Sequence, residues 1–219
     1  MAPHLPSLPE LNLVCFPHAG GNADFFAKWP ANAVSGVQIH AVEYPGRGRR
    51  RDEPAAAEFC PLADEIASHI LALPSVPLVL FGHSMGSVVA FEVARRLSDV
   101  ESAPPHALVV SNITAPHRLH RRDPLPVTDD GVWEHSYSIG GIPKPTLDDA
   151  SAWNELTVGT YSYRGFTGGH FYLTEQEALV ARLVSELGIG HTAEELRTAV
   201  PLQRETSSAD RTHTIEPVH

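Results

Sequence analysis

The 219-residue chain is poor in cysteine and has no long apolar run. Two cysteines, Cys15 and Cys60, argue against a disulfide framework. Each reads instead as a buried thiol, one in a strand-like run and one at the start of a helical segment. No apolar stretch approaches the roughly 18 residues of a membrane span. The N-terminal MAPHLPSLPE lacks a basic region followed by an apolar core, so no signal peptide is expected and the expected compartment is cytoplasmic. An excess of positive charge is also missing. Sixteen Lys and Arg against 26 Asp and Glu give a net charge of −10, which argues against broad nucleic-acid binding. The 13 histidines include no H-E-x-x-H pair, so no such metal site is expected. There are no internal repeats.

What is present is a globular composition, with 42% hydrophobic and 19% charged residues, and a length that suits one domain. Short apolar runs alternate with helical patterns. Strands are expected at Leu11–Phe16, Val37–Val42, Pro77–Phe81 and Ala107–Asn112. Helices are expected at Cys60–Leu73, with Leu62, Ile66, Ile70 and Leu73 on one face, and at Ser87–Leu97. This alternation predicts an α/β fold with a mainly parallel sheet flanked by helices. The pattern then changes. A basic, Pro-containing stretch is followed by a short helix near Thr128–Ile139, a loop at Gly140–Asp149, a strand at Thr157–Phe166 and a closing helix at Glu175–Leu187. Residues 191–219 read as a polar, disordered tail.

The stretch Phe81-Gly82-His83-Ser84-Met85-Gly86 carries the chemistry. Gly-x-Ser-x-Gly alone is a weak signal, but here a buried strand precedes it and a small-residue helix start follows. That context presents Ser84 as a nucleophile on a sharp turn, with the helix N-terminus favouring negative charge in front of it. The Met85 N–H is then placed to donate to an oxyanion. The second donor is expected from the Gly-rich loop after the first strand, with Ala19 as candidate. The base is expected after the last strand and before the closing helix, which selects His170 in Gly168-Gly169-His170. His18 and His83 read as structural.

Together, FPHAGGN, EYPGRGRR, FGHSMGSVVAFEVARRL and FTGGHFYL resemble the type II thioesterases of polyketide and nonribosomal peptide biosynthesis, which are α/β-hydrolases. The resemblance covers about residues 8–146 and 150–187. It implies a domain over about 1–190 with a lid remnant at about 118–148. It implies hydrolysis of acyl groups from the phosphopantetheine arm of carrier proteins, without cofactor or metal, by a monomer. Ser84 and His170 then act as nucleophile and base, and the Ala19 and Met85 N–H groups form the oxyanion hole. The basic runs Arg47–Arg51 and Arg118–Arg122 suit either an acidic carrier domain or plain solvation.

One part of the pattern is missing. The family's acid sits on a loop between the lid and the final strand, and no such loop is found. Ser84 and His170 are only 86 residues apart, well short of the family's interval. An internal deletion near Leu147–Ala150 is expected, shortening the lid and removing one core strand together with the acid. Asp149 is the best substitute acid. Some related hydrolases place the acid after the strand that follows the nucleophile helix, but that site reads Ser111-Asn112, without a carboxylate. Two rival readings stay open: a weak or inactive carrier-binding homologue, and a generic serine esterase.

Overall fold

Leu11–Phe16 (β1) is buried along its whole length, as is Leu78–His83 (β3). Continuous burial is what a strand needs when both faces of a parallel sheet are covered. The computed structural model describes residues 9–27, 29, 36–100, 104–119, 150–157, 159–162 and 170–175. Within them, Val37–Ala41 (β2) and Ala107–Ser111 (β4) complete a four-stranded, all-parallel sheet of order β2-β1-β3-β4. Two helices join it, Phe59–Leu71 (α1) and Met85–Ser98 (α2), and a single helical turn follows β4 at Pro116–Leu119 (α3). No helix among the described residues is long and apolar enough to cross a membrane.

Side-chain alternation along the strands divides the core in two. Val14, Phe16, Leu78 and Leu80 face α1 and α2, meeting Leu62, Ala63, Ile66 and Ile70 of the first helix and Val89, Ala90, Val93 and Leu97 of the second. Leu11, Leu13, Cys15, Val79 and Phe81 face the other way, onto Phe26, Trp29 and Leu173. The α1 stripe recurs at helical spacing and is the amphipathic face expected from the sequence. Cys60 departs from expectation. It lies off that stripe and is exposed, whereas Cys15 is buried on β1. Both are free thiols.

A third apolar cluster caps the sheet beyond β4. Ala115, Ala152 and Trp153 are buried there against Phe91 and Ile113. The Trp153 indole donates to the Ile113 carbonyl at 3.1 Å, and Glu155 accepts from Arg118 and pairs with His117. Ala152–Leu156 is a tight helical turn. Of the strand expected at Thr157–Phe166, the described residues are irregular, and the rest lies outside them. No strand follows β4 among the described residues. Most of the expected lid, the helix near Thr128–Ile139, Asp149, nearly all of the closing helix and the tail also lie outside the described residues.

The strand order places the site. Chain direction across the sheet reverses between β1 and β3. In open parallel sheets, ligands bind at the carboxyl ends of the strands at such a switch point. The loop after Phe16 and the turn after His83 both emerge there.

Candidate active site

The turn between β3 and α2 is strained. Ser84 holds φ 55° and ψ −126°, a conformation a non-glycine residue rarely adopts, and it is 4% exposed. Such a residue costs about 1–3 kcal/mol and persists only when its surroundings fix it. The fixing contacts are visible. The Ser84 N–H donates to the Ser111 carbonyl at 2.8 Å, and the Ser84 carbonyl accepts from the Ser87 N–H at 2.9 Å. The Ser87 hydroxyl donates to the Gly82 carbonyl at 2.7 Å and accepts from the Ser111 N–H at 3.2 Å.

The two glycines of the motif are required by backbone packing. A Cβ on Gly82 would lie 2.3 Å from the Ser87 Cα, and one on Gly86 would lie 2.1 Å from the Phe16 carbonyl oxygen. The second contact brings the N-terminus of α2 against the end of β1. From there the chain runs through Pro17 and His18 into a turn. This turn is closed by the Gly21 N–H donating to the His18 carbonyl at 3.0 Å, with Gly20 at φ 75°. Ala19 sits inside that turn, and Met85 is the first residue of α2, where N–H groups lack intrahelical acceptors. Both expected oxyanion donors are therefore at the switch point.

The EYPGRGRR segment clamps this loop, a role that sequence reasoning missed. Tyr44 is buried and donates to the Pro17 carbonyl at 3.1 Å. The Glu43 carboxylate accepts from the Ala23 N–H at 3.0 Å and from the Arg49 N–H at 3.2 Å. Of the basic residues here, Arg50 is paired with Glu53 and Glu65, while Arg49 and Arg51 are exposed and, among the described residues, make only long ion pairs, with Glu43 at 3.9 Å and Asp52 at 3.8 Å. A cleft of about 220 Å³ lies between β2 and α1, lined by His40, Glu43, Arg50 and His69; none of the expected catalytic residues line it.

His170 opens a turn that leads into Tyr172–Glu175. Leu173 anchors that turn in the core, and the Tyr172 hydroxyl meets the Ser111 hydroxyl at 3.0 Å. The His170 ring lies 5.2 Å from the ring of His83, the residue before Ser84. His83 is fully buried. Its Nδ1 is 2.9 Å from the Ser111 hydroxyl, its ring stacks on Phe25, and its Nε2 has no hydrogen-bond partner among the described residues. Burial above all, with the neighbouring His170 and His18, pushes its pKa down to about 3; the nearby His170 carbonyl only tempers this. His18 is lowered to about 4 by burial first and His170 second. Burial also lowers the His170 pKa. His83 and His18 are thus neutral at pH 7, and burial biases His170 toward its neutral form.

No carboxylate meets the His170 ring among the described residues. Its Nδ1 is 2.6 Å from the side-chain amide nitrogen of Asn112, and the same nitrogen donates to the His170 carbonyl at 3.1 Å. Asn112 follows β4 at φ 57°. It stands at the Ser111-Asn112 position, where some related hydrolases carry their acid and this chain carries an amide. Ser84, Ala19, Met85 and His170 are brought to one end of the sheet, and Asp149 is outside the described residues.

Comparison with known proteins agrees with this architecture. The model of the thioesterase domain family matches residues 11–165, ending just before His170. A probable cadicidin biosynthesis thioesterase of Streptomyces griseus is 31% identical over 225 aligned positions, covering 78% of this chain and 61% of the relative. The medium-chain S-acyl fatty acid synthase thioesterase of Rattus norvegicus is 36% identical over 63% of this chain and 54% of its own length. The chain thus spans less than two thirds of either relative. Because 78% of 219 residues is about 171, about 54 of the 225 positions aligned with the Streptomyces griseus protein have no counterpart here. Among solved structures, RedJ, a thioesterase of the prodiginine pathway in Streptomyces coelicolor, superposes with a TM-score of 0.71 at 27% identity, covering 83% of this chain and 95% of RedJ. The chain belongs to the thioesterase domain family, among the α/β-hydrolases that include the type II thioesterases of polyketide and nonribosomal peptide biosynthesis.

Proposed function

We propose that this chain hydrolyses acyl thioesters carried on the phosphopantetheine arm of carrier proteins. The observation that carries the reading is the strained Ser84, held at the switch point between the Ala19 turn and the N-terminus of α2. Ser84 Oγ attacks the thioester carbonyl carbon while its proton passes to the His170 ring. The Met85 and Ala19 N–H groups hold the oxyanion. The carbon–sulfur bond then breaks, and the pantetheine thiol leaves with the proton from His170. Water, deprotonated by the same ring, attacks the acyl-serine, releasing the acid and restoring Ser84. The exposed Arg49 and Arg51 offer positive charge to an acidic carrier domain.

A second reading, a carrier-binding homologue of low activity, is favoured by one observation: an amide, not a carboxylate, meets the His170 ring. Release of acid from an acylated carrier protein, compared between wild type and Ser84→Ala, separates the two. The hydrolytic reading expects a measurable wild-type rate that falls to background in the variant. Equal rates with retained carrier binding favour the second.

A further inference from the structure

The contact between Asn112 and His170 has a polarity fixed by its surroundings. The side-chain amide of Asn112 faces two groups at once, the His170 carbonyl oxygen at 3.1 Å and the His170 Nδ1 at 2.6 Å. A carbonyl oxygen only accepts, so the amide nitrogen faces it; turning the amide over would let Nδ1–H donate to the amide oxygen but would set that oxygen against the His170 carbonyl and leave the carbonyl without a donor. The nitrogen's second hydrogen then points at Nδ1, which must accept it. A neutral imidazole carries one proton, so that proton is on Nε2. General-base catalysis on a serine needs the reverse: hydrogen on Nδ1, held by an acid, and a free lone pair on Nε2.

Resting on the hydrolytic reading above, we infer that Asn112 is a positioning residue that holds His170 in the tautomer unsuited to deprotonating Ser84, making this chain a slow thioesterase limited at one side chain. The geometry around Asn112 supports a single-residue effect. Its backbone at φ 57° is one that Asn and Asp both tolerate. The base, the serine turn and the oxyanion loop are otherwise in place. A carboxylate at 112 would accept from Nδ1–H, free the Nε2 lone pair and stabilise the imidazolium as it forms.

The test has two readouts on the full-length chain. In wild type with ¹⁵N-labelled histidine at pH 8, the His170 signal, identified by its loss in His170→Gln, is expected to report protonated Nε2 and bare Nδ1. Protonated Nδ1 would overturn the inference, and this readout stands even where a variant does not fold. For Asn112→Asp, the tautomer is expected to reverse. Its kcat/KM on an acylated carrier protein is expected to rise by about 10²–10⁴-fold, the inverse of what removing a triad carboxylate costs. The acidic limb of its pH–rate profile moves to higher pH, because a neighbouring carboxylate favours the imidazolium and the base acts only when neutral. A folded Asn112→Asp with an unchanged rate and tautomer would also overturn it. Failure of the hydrolytic reading looks different: wild type and Ser84→Ala then have equal rates whatever the tautomer.

Discussion

At Ser84 a non-glycine residue sits at φ 55° because four hydrogen bonds and two missing Cβ atoms leave it no alternative. Ser87 is central to that constraint, since its one hydroxyl serves both Gly82 and Ser111. Ser87→Ala leaves a buried N–H and a buried carbonyl short of a partner, and is expected to cost about 1–3 kcal/mol, read by chemical denaturation. Gly86→Ala is expected to be worse, because its Cβ would meet the Phe16 and Pro17 carbonyls rather than a movable side-chain tip. Loss of soluble folded protein, or a fall of several kcal/mol, checks it. The serine turn and its two glycines were legible in the sequence because that turn demands those residue types in that order. Asn112 was not. Its amide reaches a ring 58 residues further on, and the sequence reading asked only whether a carboxylate stood there.

The four strands were legible to within two residues at each end, because buried parallel strands read as short apolar runs bounded by turns. The described part of the strand expected at Thr157–Phe166 is irregular. Its β-branched and aromatic residues suit a strand, yet Tyr161 instead donates to the Ala150 carbonyl at 2.6 Å and packs on the Trp153 cluster. The EYPGRGRR segment was legible as a resemblance but not as a mechanism. It acts as a brace between two elements, since Tyr44 holds Pro17 and Glu43 holds Ala23 and Arg49. Tyr44→Phe leaves the Pro17 carbonyl without its donor. It is expected to lower stability by about 1–2 kcal/mol and to reduce kcat more than it changes KM, because the loop it steadies carries Ala19. Thermal unfolding and steady-state kinetics on the same sample check both parts.

For the whole molecule, the buried imidazoles set a pH limit. His83 is held at about 3 and His18 at about 4 in the folded chain, against 6.5 when unfolded. Between those values and 6.5 the unfolded chain binds more protons, so stability is complete above pH 6.5 and is lost as pH falls toward 4 and 3. His83 alone removes about 1.4 kcal/mol per pH unit across that window. Denaturation midpoints at pH 7.5 and 5.5 are expected to show a clear drop, which His83→Gln would reduce. The Ser84 turn, the Ala19 turn and the His170 turn stand at one end of a four-stranded sheet. The central claim is that this machinery activates Ser84. Labelling with a serine-directed fluorophosphonate, read by mass spectrometry of the intact chain and its peptides, tests it most directly. One adduct on Ser84 in wild type, absent from Ser84→Ala and formed faster in Asn112→Asp, is the expected result. A wild-type chain that stays unlabelled, or is labelled elsewhere with Ser84 untouched, would contradict it.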